Sequence, residues 1–150
     1  MIRDNLTRSH VLDAFERIDR TVTLGPVQVL DAIPVYTLPK RGYAFMERGE
    51  IYAIGGILPV WEGVGEIWLI PTKLAKTKPV SLARHIKLGL FDMEQSLELR
   101  RLQAAVRCGF DRGHDLVKFL GFQSEGVMRK YGPDGEDYER YAKWQTSYHS

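Results

Sequence analysis

The sequence predicts an α+β fold: a mixed, mostly antiparallel central sheet with helices on both faces. Three observations carry this reading. Residues 42–70 form three strand-like segments separated by turn signals at Gly49-Glu50 and Glu62-Gly63-Val64-Gly65, and loops so short join strands antiparallel. Leu82, Ile86, Leu90, Met93 and Leu97 then recur at helical spacing through the longest periodic stretch of the chain. In the last third, a short helix pattern runs into Leu120-Gly121-Phe122, and two alternating segments follow, broken at Gly132-Pro133-Asp134-Gly135. Strands, a long crossover helix and a closing hairpin build one layered sheet, and a length of 150 residues suits one domain over 1–150.

Taken in order, Ser9 to Ile18 reads as a helix with Val11, Leu12, Phe15 and Ile18 in one apolar stripe and Ser9 as N-cap. Val22 to Thr37 is broken by Gly25-Pro26, and its Val27–Ile33 part reads equally as a short helix or a strand. Gly42 to Arg48 and Ile51 to Leu58 are strands joined by a two-residue hairpin at Gly49-Glu50. Glu62-Gly63-Val64-Gly65 makes the next turn, and Glu66 to Ile70 is a third strand of the meander. Pro79 to Glu98 is the long helix; Pro79 suits its first turn because the missing N–H would have no intrahelical partner there. Leu102 to Cys108 alternates as a strand. Asp111 caps a short helix through Phe119, and Gly121 permits the left-handed turn that ends it. Gln123 to Tyr131 and Tyr138 to Trp144 close the chain as a hairpin.

Charge excludes more than it suggests. Twenty-one basic residues stand against nineteen acidic ones, a net +2, which gives no reason to expect nucleic-acid binding. The short cluster Lys73, Lys76 and Lys78 is either a solvated loop or an anion site. Cys108 is the only cysteine, so an internal disulfide is impossible; at the end of an apolar-alternating run it reads as a buried, inert thiol. The four histidines are far apart and predict no metal. His114 reads as a surface helix residue, and Trp61 and Trp68 as packing residues. Gly55 and Gly56 inside a strand mark a bulge or a close approach of backbone or ligand. Met1 to Arg20 lacks the apolar run of a secretory leader, and no window approaches a membrane span, so a reducing cytoplasm is expected.

This order of elements, with Leu120-Gly121-Phe122 in place, resembles the GNAT acetyltransferase superfamily, most strongly from Tyr52 to Trp144. The resemblance implies acetyl-CoA as cofactor, bound where the fourth family strand meets the long helix. Leu69, Ile70 and Thr72 would line the pantetheine arm, and Lys76, Thr77, Lys78 and Ser81 would hold the pyrophosphate at the helix N-terminus. Leu69 and Pro71 echo the family's Val-x-Pro element. The loop itself departs from the family's glycine-rich pattern, with Leu74, Thr77 and Pro79 at its key positions. Thr77 carries a Cβ and Pro79 offers no amide proton. Glu66 corresponds to a glutamate that several members use as general base toward the acceptor amine; read by itself it is an exposed residue at a strand start. Val117 stands where many members have a proton-donating tyrosine.

Ala53-Ile54-Gly55-Gly56-Ile57-Leu58-Pro59-Val60-Trp61 with Gly65-Glu66-Ile67-Trp68-Leu69 is similar to a narrower group, GNAT-like proteins of tailed bacteriophages and prophages. One branch of it includes a small internal virion protein of short-tailed phages. The resemblance implies an N-acyltransferase acting on a small amine or a protein amino group, in host cytoplasm or virion. The alternative is a GNAT-fold phage protein without catalysis, a virion component or a binder of a host target. Tyr131, Tyr138, Tyr141, Trp144 and Tyr148 would then form a contact surface, or else pack the sheet. Family members often dimerise through their C-terminal strands, so a homodimer is among the implied assemblies.

Overall fold

The computed structural model describes residues 1–18 and 41–145. Its elements are β1 (Ile2–Asn5), α1 (Arg8–Glu16), β2 (Gly42–Glu47), β3 (Glu50–Trp61), β4 (Val64–Pro71), a 3-10 turn (Lys73–Thr77), α2 (Pro79–Leu97), β5 (Arg101–Arg107), α3 (Asp111–Phe119), β6 (Gln123–Met128) and β7 (Tyr138–Trp144). The seven strands form one sheet in the order β1-β2-β3-β4-β5-β7-β6. Every neighbouring pair is antiparallel except β4 and β5, which α2 joins as a parallel crossover. The expected sheet class is therefore the observed one.

Alternation along the strands sends side chains to two cores. Ile67 and Leu69 of β4, with Phe45, Leu102, Ala104 and Tyr141, pack under Leu82, Ile86, Leu90 and Met93 of α2 and Val117 of α3. Trp68 and Ile70, with Ala44, Ile51 and Ile54, pack under Val11 and Ala14 of α1. The helical stripe read over residues 82–97 is thus the face α2 buries.

Local chemistry sets the element ends. Thr7, not Ser9, caps α1: its hydroxyl accepts the His10 amide at 3.2 Å while His10 Nδ1 accepts the Thr7 amide at 3.1 Å. The β2–β3 turn has positive φ at both Arg48 (53°) and Gly49 (79°), the geometry of a tight hairpin, one residue earlier than expected. At the end of α3, the Gly121 amide (φ 95°) donates to Lys118 and the Phe122 amide to Val117, at 3.0 and 2.9 Å. That pair of bonds satisfies the last carbonyls of the helix and turns Phe122 inward, where it is buried.

Several expectations are corrected. β1 was not anticipated; its four residues are polar or exposed, and only pairing with β2 makes them a strand. β6 ends at Met128 and not at Tyr131. Cys108 is exposed, because β5 stops at Arg107 and the chain turns at Gly109 (φ 92°). Trp61 is 69% exposed at the β3–β4 hairpin, while Trp68 is buried as expected. His114 is not a surface residue: its side chain is only 14% exposed. The segment 22–37 and Tyr148 lie outside the described residues. No described helix is long and apolar enough to cross a membrane.

The adjacent glycines of β3 face opposite ways. A Cβ on Gly56 would press into the backbone of Arg41 and Gly42, where β2 begins. We therefore expect Gly56→Ala to cost about 2 kcal/mol or more of stability, measured as a lower denaturant midpoint; an unchanged midpoint would show that β2 can retreat without cost.

Candidate functional site

The two parallel strands part company almost as soon as they meet. Pairing of β4 with β5 covers only Val64↔Arg101, Gly65↔Leu102 and Glu66↔Gln103. Beyond Glu66, β4 continues to Pro71 bonded to β3 alone. The Thr72 amide donates to Tyr52 across that pair at 3.0 Å. Strand alternation then turns the carbonyl of Ile67 and the backbone groups of Leu69 toward the gap, beyond the last pair with β5. A ligand carrying amides can take the place of the missing strand.

On the α2 and α3 face the gap opens into a cavity of about 150 Å³. Leu69 and Pro71 form its floor, Leu82 and Ile86 one wall, and Phe110 and Leu116 the other. Lys76 and Arg112 stand at its rim, and among the described residues neither has an ion-pair partner. The cavity is an apolar slot ending at two cations, suited to a long ligand with an apolar arm and an anionic end.

The loop that follows β4 is built differently from a phosphate cradle. It is a 3-10 turn that consumes its own donors: the amides of Leu74, Ala75 and Lys78 bond to Thr72 Oγ1, the Thr72 carbonyl and the Ala75 carbonyl. Thr72 is buried, and its hydroxyl donates to the Ile51 carbonyl at 2.8 Å. Thr77 Oγ1 donates to the Leu74 carbonyl. Lys78 Nζ is paired with Glu47, and this hydrogen bond holds the Glu47 carboxyl below the usual carboxylate range. Pro79 begins α2 without a side-chain cap, so the anion-facing amides left at the helix start are those of Val80 and Ser81. Ile70 turns its side chain to the α1 face, away from the cavity. Of the residues the resemblance singles out, Leu69, Thr72 and Lys76 meet at the cavity wall.

Glu66 sits at the vertex of the gap, on the opposite face with Trp68 and Ile70. It is buried, not exposed. Its Oε1 accepts from Gln103 Nε2 at 2.9 Å and from Arg140 Nη1 at 3.1 Å, which fixes the carboxylate at the point where β4 and β5 separate. Among the described residues no group of His, Cys, Asp and Glu is placed to hold a metal ion.

A second polar group ties α3 to β5 and β7. His114 Nε2 is 3.0 Å from the Arg107 carbonyl, which can only accept, so Nε2 donates there, and Nδ1 shares a hydrogen bond with the Tyr141 hydroxyl at 2.7 Å. Tyr141 is 1% exposed. Burial, reinforced by the nearby Glu139 carboxylate, raises its pKa above the ordinary tyrosine value. Val117, at the family's tyrosine position, is fully buried in the core.

Solved structures similar to the chain include several acetyltransferases. The ribosomal-protein-S5-alanine acetyltransferase of Vibrio fischeri superposes with a TM-score of 0.76 at 15% identity, covering 99% of this chain and 94% of that one. An acetyltransferase of the GNAT family from Streptococcus pneumoniae gives 0.75 at 13%, covering 96% and 99%. A variant of the spermidine N-acetyltransferase SpeG of Vibrio cholerae gives 0.75 at 13%, covering 97% and 96%. The fold is that of the GNAT acetyltransferases. By sequence, the chain matches no protein-family model and no curated protein.

Sequence reasoning missed Arg112, Gln103 and Arg140. Arg112 lies one turn before Leu116 on α3, so it shares the face that meets the cavity; that spacing was the available signal. Gln103 and Arg140 had none, since only the sheet order brings β7 within reach of β4.

The neutral phenol of Tyr141 contributes stability that is fully present below the ordinary tyrosine value of 10.0 and is lost as pH rises through its higher folded value. Tyr138, raised chiefly by burial, acts in the same direction. Stability should therefore fall at pH above about 10, read by denaturant titration. Tyr141→Phe, which removes the hydrogen bond to His114 Nδ1, should cost about 1 kcal/mol at neutral pH. No change there would mean the bond contributes nothing net.

Proposed function

We propose that the protein is an acyl-CoA-dependent N-acyltransferase whose acceptor is a small amine or a protein amino group. One observation carries the reading: the gap between β4 and β5 opens to an apolar, cation-rimmed cavity on one face and to a fixed carboxylate on the other. The residues fit a CoA thioester. Leu69, Pro71, Ile86 and Leu116 would line the pantetheine arm, whose amides match the Ile67 carbonyl and the Leu69 backbone beyond the last pair with β5. Lys76, Arg112 and the amides of Val80 and Ser81 would hold the phosphates, with point charges replacing most of a backbone cradle.

CoA supplies a thioester carbonyl, activated toward an amine. Glu66 would take one proton from the acceptor ammonium, directly or through water, freeing the nitrogen to attack that carbonyl; the C–N bond would form as the C–S bond breaks, and the second nitrogen proton would leave with the sulfur as thiol. Gln103 and Arg140 hold Oε1 of Glu66, so Oε2 is the oxygen available to the acceptor. Positioning in the gap supplies most of the acceleration, which in favourable cases reaches about 7 kcal/mol; Val117 contributes no proton.

A second reading is favoured by the 3-10 turn, whose amides are already spent: a GNAT-fold protein without catalysis. The narrower resemblance to phage proteins, carried by Gly55-Gly56 and Trp68, would make it a virion component or a binder of a host protein. Calorimetric titration with acetyl-CoA separates the two. We expect one-to-one binding with a micromolar dissociation constant, weakened about tenfold by Lys76→Ala or Arg112→Ala, each the loss of one charge-assisted contact, and less by Lys78→Ala. No heat at millimolar ligand would sink the transferase reading. With an acceptor in hand, Glu66→Gln should lower kcat far more than it changes CoA affinity; equal turnover would remove Glu66 from the reaction.

A further inference from the structure

A second, smaller cavity of about 30 Å³ lies deeper in the same face. It shares the walls formed by Leu69, Ile86 and Leu116 with the larger one. Phe45, Ile67, Leu90, Met93 and Leu120 complete it, and Gly55 forms part of its floor. The void exists partly because residue 55 lacks a side chain: a Cβ there would meet Leu69 Cδ1 at 2.9 Å. Almost all of the surface facing the void is apolar, so a water inside would find too few partners, and a dry void costs stability for the contacts it lacks. An apolar group attached to a ligand in the outer cavity would satisfy both conditions.

The position of the void says what that group is. Ile67 lies both in its wall and at the first step of β4 beyond the Glu66↔Gln103 vertex. A ligand entering past Lys76 and Arg112, with its arm along Pro71 and Leu69, brings its far end to this point. We propose that the void is an acyl-chain pocket and that the preferred donor is a short-chain acyl-CoA of about four carbons, not acetyl-CoA. Room for about two water-sized groups corresponds to two methylenes beyond acetyl. The inference rests on the transferase reading, since it needs a CoA thioester in the outer cavity.

Calorimetry with CoA, acetyl-CoA, butyryl-CoA and octanoyl-CoA tests it. We expect butyryl-CoA to bind about tenfold more tightly than acetyl-CoA, the gain from burying two methylenes, and octanoyl-CoA to lose that gain because its chain overfills the space. Gly55→Ala should bring butyryl-CoA down to the affinity of acetyl-CoA. Because a Cβ at residue 55 also comes within 3.0 Å of the Trp68 carbonyl, that variant can fail to fold. Met93→Ala is the second test: it enlarges the void and should move the optimum to longer chains. If all thioesters bind alike, or acetyl-CoA binds best, the void is a packing defect and the inference fails while the transferase reading stands. If no CoA species binds, both fail together.

Discussion

Everything in the candidate site follows from where β4 and β5 stop being paired. A parallel pair in the middle of a seven-stranded sheet ordinarily continues for the length of its strands, because an unpaired buried amide is costly. Here three residue pairs are made and the strands then separate. α2 and α3 occupy the space above the opening, and their apolar stripes wall it without filling it. The exposed backbone, the cavity and the carboxylate at the vertex are three aspects of one separation.

The clamp beneath the vertex explains why the separation begins at a fixed place. Gln103 on β5 and Arg140 on β7 converge on a single oxygen of Glu66 on β4. Three strands are thereby tied side chain to side chain at the last residue pair before they part. A buried carboxylate with two such donors is well satisfied, whereas removal of either donor would leave part of it bare. The interaction that positions Glu66 for chemistry is also one that closes the base of the gap.

How far the sequence spoke depended on the range of the interactions involved. The end of α3 was legible at Leu120-Gly121-Phe122 because the bonds that define it span five residues. The stripe of α2 was legible because periodicity reports one buried face directly. β1 was not, since its strand character comes from Met46, Phe45, Ala44 and Tyr43 on the far side of the chain's first helix. Cys108 and Trp61 were misplaced for a related reason: alternation suggested burial, but each lies at or past the end of a strand, where alternation no longer reports a core. Lys78 carried the right charge for an anion site, and only the folded chain shows that Glu47 claims it. Arg112 carried the same charge, and its spacing from Leu116 was the one local sign of the face it shares.

The neighbouring glycines of β3 illustrate how a sheet divides labour. Successive residues face opposite sides, so a side chain at residue 55 would point into the cavity system and one at residue 56 into the backbone of β2. Selection can therefore act on the two independently. Residue 56 is tied to the architecture, whereas a methyl group added at residue 55 would meet the Leu69 side chain first and so would act on the internal space. A lineage with this fold can adjust the shape of its interior through a single position, next to one it is not free to change.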